Sequence, residues 1–331
     1  MPILTEKQNY FRLLDGEVPE YVPQMIFGMP MGPPEIFPMF GGWDGIKYDL
    51  FGVPYVTEKN ANYGGMPQSG VFILDDITKW RDVIKRPKVL DEIDWQLCAD
   101  RDLANWDPNT INNSMVSIGN GYFQMLGSFM GFENGLIACV EEPEEVKALL
   151  NFLLEMNLEL LKKSLFYYKP ETFGMGDDIA AERSPFVSLE MFLDIFEPIW
   201  RKTIEPALDA GIYCEHHNCG KLDEFIPYIV DEGFCAWNPA QPANDLVTIK
   251  EKFKGKLAIC GGFDGNGPVC YPETPEEDVR AYVRQVLDEL APGGGYAFGG
   301  YVMGAPDDPQ TITRMGWIQD EFEKRRYDYY K

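Results

Sequence analysis

The sequence predicts an α/β fold, a TIM (β/α)8 barrel carrying an amino-terminal extension. From about residue 115 the chain alternates strand-like and helix-like segments, an order that implies a parallel sheet. Polar and glycine-rich residues gather just after the strands, at Asp177-Asp178, His217 to Lys221, Asn238, Asp264 and Gly299-Gly300. In a barrel that is the catalytic face. No G-x-G-x-x-G follows a first strand, so an open dinucleotide-binding sheet would lack its phosphate loop.

The elements follow in chain order. The first 110 or so residues are rich in Gly, Pro and aromatics, as in Phe27-Gly28-Met29-Pro30-Met31-Gly32-Pro33-Pro34, which favours loops and short strands. Residues 1–110 are therefore expected to form an extension with substrate-cap elements packed on the barrel, and 111–331 its main body, within one structural domain. Residues 70–74 read as a hairpin-like piece leading into Asp75-Asp76-Ile77-Thr78, a helix entry. Strands are expected at 114–119, 172–178, 213–217, 234–239, 256–264 and 295–300. Between them lie helices at 142–168, 188–209, 221–232, 246–253 and 275–290.

Composition excludes several function classes. A length of 331 residues suits one barrel with an extension, and 45% hydrophobic content can fill its core. The net charge of −24 disfavours nucleic acid and anionic membranes as partners, since phosphate binding needs concentrated Lys and Arg; a solvated acidic surface accounts for it. The amino terminus has no basic region followed by an apolar run, and no stretch approaches the roughly 18 apolar residues of a membrane helix. Seven scattered cysteines argue against a disulfide framework and for a reducing cytoplasm. A homo-oligomer is compatible with all of this.

The chain has only two histidines, side by side in Tyr213-Cys214-Glu215-His216-His217-Asn218-Cys219-Gly220-Lys221. Along an extended strand alternate side chains share a face, which puts Glu215, His217 and Cys219 on one side and His216 and Asn218 on the other. An imidazole, a thiol and a carboxylate can converge on zinc. The same pair also suits a buried histidine bonded to a backbone carbonyl beside a small apolar cysteine. Glu182 lies just past the preceding strand end and would face the same cavity. Glu197 precedes Arg201 by four residues, the spacing of a helical surface pair. Asp177 and Asp178 fit ligands, orienters of the histidine or turn caps. Glu215 lies deeper and fits either the site or a buried arginine partner, and Cys235, Cys260 and Cys270 fit the core. There is no Gly-x-Ser-x-Gly elbow and no P-loop.

Taken together, Gly176-Asp177-Asp178, residues 192–198, His217-Asn218-Cys219-Gly220, Asn238-Pro239, Gly261-Gly262-Phe263-Asp264-Gly265 and Thr274-Pro275-Glu276-Glu277 resemble the uroporphyrinogen decarboxylase superfamily over about residues 115 to 320. The H-x-C-G step is the most specific part. The resemblance implies a TIM barrel performing either cofactor-free porphyrinogen decarboxylation or zinc-dependent methyl transfer to or from a corrinoid. Decarboxylases of the superfamily carry an arginine-rich amino-terminal motif, and residues 27–34 contain no arginine. Coenzyme M methyltransferases add a cysteine near the last strand, and residues 298–304 contain none.

The chain is more similar to the O-demethylase methyltransferase I branch, whose zinc pattern is Glu, fourteen residues, Glu, about twenty residues, His. Fourteen residues separate Glu182 from Glu197, and nineteen separate Glu197 from His217, eighteen from His216. The resemblance thus implies zinc on Glu182, Glu197 and His217, with Cys219 as fourth ligand or close neighbour, and Asp264 orienting the site from its own strand end. It implies demethylation of a methyl ether, expected to be an aryl ether, with methyl transfer to the Co(I) corrinoid of a separate carrier protein. The chain lacks Asp-x-His-x-x-Gly, the pattern expected of one carrying its own corrinoid. Phe27, Met29, Phe37, Phe40 and Trp43 are candidate walls for an aromatic substrate and equally candidate core. Methyl transfer to a thiol, decarboxylation and a zinc- or small-molecule-binding barrel without turnover are the rival expectations.

Overall fold

Ten strands are seen in a computed structural model that describes residues 4–26, 28–36, 45–59, 64–104, 106–107, 114–117 and 120–330. In chain order they are β1 (Met29–Pro30), β2 (Lys47–Tyr48), β3 (Pro54–Glu58), β4 (Gly64–Pro67), β5 (Ser114–Ser117), β6 (Thr172–Gly176), β7 (Tyr213–His217), β8 (Ala236–Ala240), β9 (Ala258–Gly262) and β10 (Tyr296–Gly299). β2, β3 and β4 make a small antiparallel sheet, and the other seven make a parallel sheet in the order β1-β5-β6-β7-β8-β9-β10. Just before β1, Gln24 bridges Phe298 of β10 in parallel. There the Met25 N–H donates to the Phe298 carbonyl at 2.7 Å, and the Phe298 N–H donates to the Pro23 carbonyl at 2.8 Å. The segment from Pro23 to Pro30 therefore touches both ends of the sheet and closes it into a barrel of the TIM class. This stave comes from within residues 1–110, so that segment contributes to the barrel wall as well as to the small sheet.

Helices cover the outside of the strands. The longest, Pro143–Tyr168, begins with proline at a first-turn position, where no N–H partner is lost. It buries Val146, Leu149, Leu150, Leu153 and Leu154, the three-and-four spacing of a core-facing stripe. Helices Glu197–Asp209, Ile226–Glu232, Leu246–Lys252 and Glu276–Leu290 alternate with the later strands as the pattern predicts, and Pro309–Arg325 packs against Glu276–Leu290. No helix among the described residues is long and apolar enough to cross a membrane.

The helix Glu6–Leu14 starts from a reciprocal capping box between Thr5 and Gln8. It lays Tyr10, Leu13 and Leu14 against Ala236, Ala258, Cys260 and Ala297, near the amino-terminal ends of the strands. Small residues there leave room for the Tyr10 ring to enter the barrel from below. Burial of each leucine contributes roughly 1.5–3 kcal/mol.

Two local expectations differ from the structure. Residues 70–74 form no strand; the hairpin is β3 with β4, and the Ile73 and Leu74 N–H groups both donate to the Phe129 carbonyl at 3.0 Å. The helix entry nearby is present, with the Asp76 side chain accepting from the Thr78 N–H. Helices Tyr122–Met130 and Phe132–Glu141 are additional to the expected elements. The first buries seven of its residues, so it lacks the polar face that makes a helix visible as a period. Of the candidate substrate walls, Phe27, Phe37, Phe40 and Trp43 lie outside the described residues, as does the Met29 side chain.

Candidate metal centre and its cavity

Strand alternation sorts the side chains of β7. Glu215 and His217 line a cavity inside the barrel, whereas His216 faces the helices, its ring 4.6 Å from Trp200 and 4.9 Å from Phe234. Burial, and then the neighbouring His217, pull the His216 imidazole down to about 3, so it is neutral at ordinary pH. In the parallel register Gly176 and Asn238 flank His217 on the adjoining strands.

The two aspartates after β6 part company. Asp177 is fully buried and accepts from the Phe123 and Gln124 N–H groups, both at 3.1 Å, and from Trp200 Nε1 at 2.9 Å. It thereby anchors the amino terminus of the helix Tyr122–Met130, where a carboxylate is favoured. Burial nevertheless holds its carboxyl up at about 6. Asp178 turns to the other side. Its Oδ1 accepts from the Cys219 N–H at 2.7 Å and its Oδ2 from Gln124 Nε2 at 3.2 Å.

Asp178, His217 and Cys219 meet at the carboxyl end of β6 and β7, each offering a ligand atom within 4.8 Å of the other two. Among the described residues no other group of three His, Cys, Asp or Glu side chains does so. Burial, and then Asp178, push the Cys219 thiol up to about 12; a cation between them would replace that proton. One nitrogen, one sulfur and one oxygen form a donor set that fits zinc, with bonds of about 2.0–2.3 Å and a fourth position left open. Donors around such an ion stand about 3.3–3.7 Å apart, so the cluster needs only a modest tightening.

A chain of polar contacts runs beneath the cluster. His217 Nδ1 lies 2.9 Å from Asn238 Oδ1, Asn238 Nδ2 donates to Glu215 Oε2 at 3.4 Å, and the Tyr10 hydroxyl donates to the same oxygen at 3.1 Å. The cavity above holds about 300 Å³. Ile26 and Met115 give it apolar walls, and Asn120 and Gln124 supply amides. Gly174 keeps it open, because a Cβ there would meet Met115 Sδ at 2.6 Å. No Lys or Arg is among its described lining residues.

The sequence profile of the family described as Uroporphyrinogen decarboxylase (URO-D) matches residues 119–304, more than half of the chain and all of the cluster. The chain belongs to this family. This URO-D member is similar in fold to a solved structure described as a methyltransferase from Methanosarcina mazei. The two are 13% identical, with 97% of this chain and 99% of that chain covered and a TM-score of 0.57. A sugar phosphate isomerase/epimerase from Parabacteroides distasonis also matches, at 10% identity over 65% of this chain and 83% of that chain, with a TM-score of 0.30. No curated protein matches the chain.

Within this URO-D barrel the expected ligands do not all gather. His217 and Cys219 come together, but Glu182 and Glu197 stand outside their cluster. Glu182 is exposed and lines a separate groove of about 530 Å³ with Asp264, Gln241 and Tyr301. Glu197 opens the helix Glu197–Asp209, where its Oε1 accepts from Arg201 Nε at 2.8 Å and from a terminal guanidinium nitrogen at 2.6 Å. That is the four-residue helical pair. On geometry the carboxylate beside His217 is Asp178. Asp264 accepts from the Asn266 N–H at 3.1 Å and shapes the turn after β9, and Glu215 is partnered by Tyr10 and Asn238. Asp178 is legible by parity, since it continues the inward series Gly174, Gly176. Gln124 and Tyr10 carry no such signal.

Proposed function

We propose that this URO-D family member is a zinc-dependent methyltransferase that takes the methyl group of a methyl ether, an aryl ether by preference, and passes it to the Co(I) corrinoid of a separate carrier protein. The observation that carries this reading is the Asp178, His217 and Cys219 cluster facing a 300 Å³ cavity. Zinc held there would supply Lewis acidity to an ether oxygen, easing departure of the phenolate.

The chain's own groups do the rest. Asp178 is oriented by Gln124 and by the Cys219 N–H. Ile26 and Met115 present an apolar surface to a ring and exclude water. Asn120, whose amide donates to the Tyr55 hydroxyl at 2.9 Å, offers its carbonyl oxygen to a substrate hydroxyl. A Co(I) corrinoid on the carrier would supply the electron pair that takes up the methyl group, and the pair of the broken carbon–oxygen bond would stay on the phenolate. A porphyrinogen with several carboxylates suits this cavity poorly, because its described lining offers no cation. A single thiolate beside a carboxylate also suits an ether oxygen better than a thiol substrate, which thiolate-rich ligation would activate.

Metal analysis of the purified protein is expected to give about one zinc per chain. Mixed with a reduced corrinoid protein and a panel of aryl methyl ethers, the chain should convert Co(I) to methyl-Co(III), followed by absorbance. Absence of zinc, or methyl loss from the carrier only to a thiol, would defeat this reading.

A further inference from the structure

We propose that Glu215 and Asn238 are positioning residues that fix His217 as the tautomer protonated on Nδ1, presenting the Nε2 lone pair to the cluster. The inference rests on the reading of Asp178, His217 and Cys219 as a metal centre, yet it concerns a state of the metal-free chain. Glu215 is buried inside the barrel, and its Oε2 receives both the Tyr10 hydroxyl at 3.1 Å and Asn238 Nδ2 at 3.4 Å. An amide has donors on one end and an acceptor on the other. With Nδ2 committed to the carboxylate, Asn238 can show only Oδ1 to His217, and it does so at 2.9 Å from Nδ1. An acceptor at that distance requires the proton on Nδ1. Turning the amide over would set its oxygen against the Glu215 carboxylate, two acceptors face to face. The orientation is thus set by Glu215 from one layer below and relayed by Asn238. Such outer partners hold ligand orientation, and their loss typically weakens metal binding about 10–100-fold.

The tautomer can be read directly, because the chain has only two histidines. Ring-nitrogen correlation spectra of the metal-free protein, labelled with ¹⁵N-histidine and assigned with His217→Gln, are expected to show His217 as the Nδ1–H form. In Glu215→Gln the new amide can donate to Asn238 Oδ1, freeing Asn238 to turn and donate to His217, so the Nε2–H form should appear and zinc affinity should fall about 10–100-fold. The double variant Glu215→Gln with Asn238→Asp restores the order. Its carboxylate on β8 would accept from both the new amide and His217, which should recover the Nδ1–H form and most of the affinity. The proposal is overturned by an Nε2–H His217 in the wild-type protein, or by a tautomer and affinity unchanged across the three proteins. Should the Nδ1–H form be found and respond as described in a chain that binds no zinc, the positioning holds and the metal-centre reading fails.

Discussion

The Cys219 N–H donates to Asp178 Oδ1 at 2.7 Å, so the carboxylate at the end of one strand holds the loop that follows the next. Asp178 is itself held by Gln124 Nε2. The helix that carries Gln124 is anchored by Asp177, the neighbouring residue on the opposite face. Adjacent acidic residues thus divide the work, one fixing a helix and the other facing the cluster.

Asp178→Asn should weaken zinc binding at least about tenfold, while Glu197→Gln should leave it unchanged. The second variant loses the pair with Arg201, whose guanidinium is partly exposed, and relieves Glu232 of a neighbouring charge, so its net change in stability should be on the order of 1 kcal/mol or less. Chelator competition and thermal melts on both proteins check this; zinc lost from the Glu197 variant and kept by the Asp178 variant would return the ligand role to Glu197.

The division between legible and hidden features follows from how local each one is. The two faces of β7 can be read from a period of two, and the barrel class from the order of strands and helices. Tyr10 cannot be placed that way, because it meets Glu215 across 205 residues of sequence. Gln124 is hidden in a helix that is apolar on nearly every side. The count from Glu182 to Glu197 does not fix a direction, because the helix, and not the number of residues, decides where Glu197 points. The four-residue step to Arg201 is the relation the structure keeps.

Gly121→Ala should destabilise the fold by about 3 kcal/mol, because a Cβ there would overlap the Asp177 side chain and the Gly176 carbonyl, neither of which is free to move. Gly174→Ala meets instead the flexible end of Met115. It should fold with near wild-type stability and shrink the cavity, raising KM for larger ethers. Urea denaturation and a substrate-size series separate the two effects.

Glu232 should give stability an unusual pH dependence. Burial, and then Glu197, push its carboxyl up to about 9, and neither of its oxygens has a hydrogen-bond partner. A raised acid contributes stability that is present below about 4.3, its unfolded value, and is lost as pH rises through the folded value near 9. Between pH 6 and 9 the wild-type protein should lose up to about 1.4 kcal/mol per pH unit relative to Glu232→Gln. Parallel stability curves for the two proteins would contradict this.

His216 should act in the opposite direction. Its ring is clasped between Trp200 and Phe234 with Nδ1 unpartnered, and burial holds it down at about 3. A depressed base contributes stability that is present above its unfolded value of about 6.5 and is lost as pH falls toward the folded one. The wild-type protein should therefore lose about 2 kcal/mol on going from pH 7.5 to 5.0 through this residue alone. His216→Phe places a somewhat larger ring in an aromatic slot and gives up the contact of Nε2 with Asn218 Nδ2 at 3.4 Å, so at pH 7.5 it should cost about 1–3 kcal/mol. The variant should lack the acid loss and keep its zinc, since His217 points to the other face. Urea midpoints at both pH values, taken with a chelator present so that metal loss does not intrude, decide the matter. Equal acid sensitivity in the two proteins would show that His216 takes up its proton without unfolding.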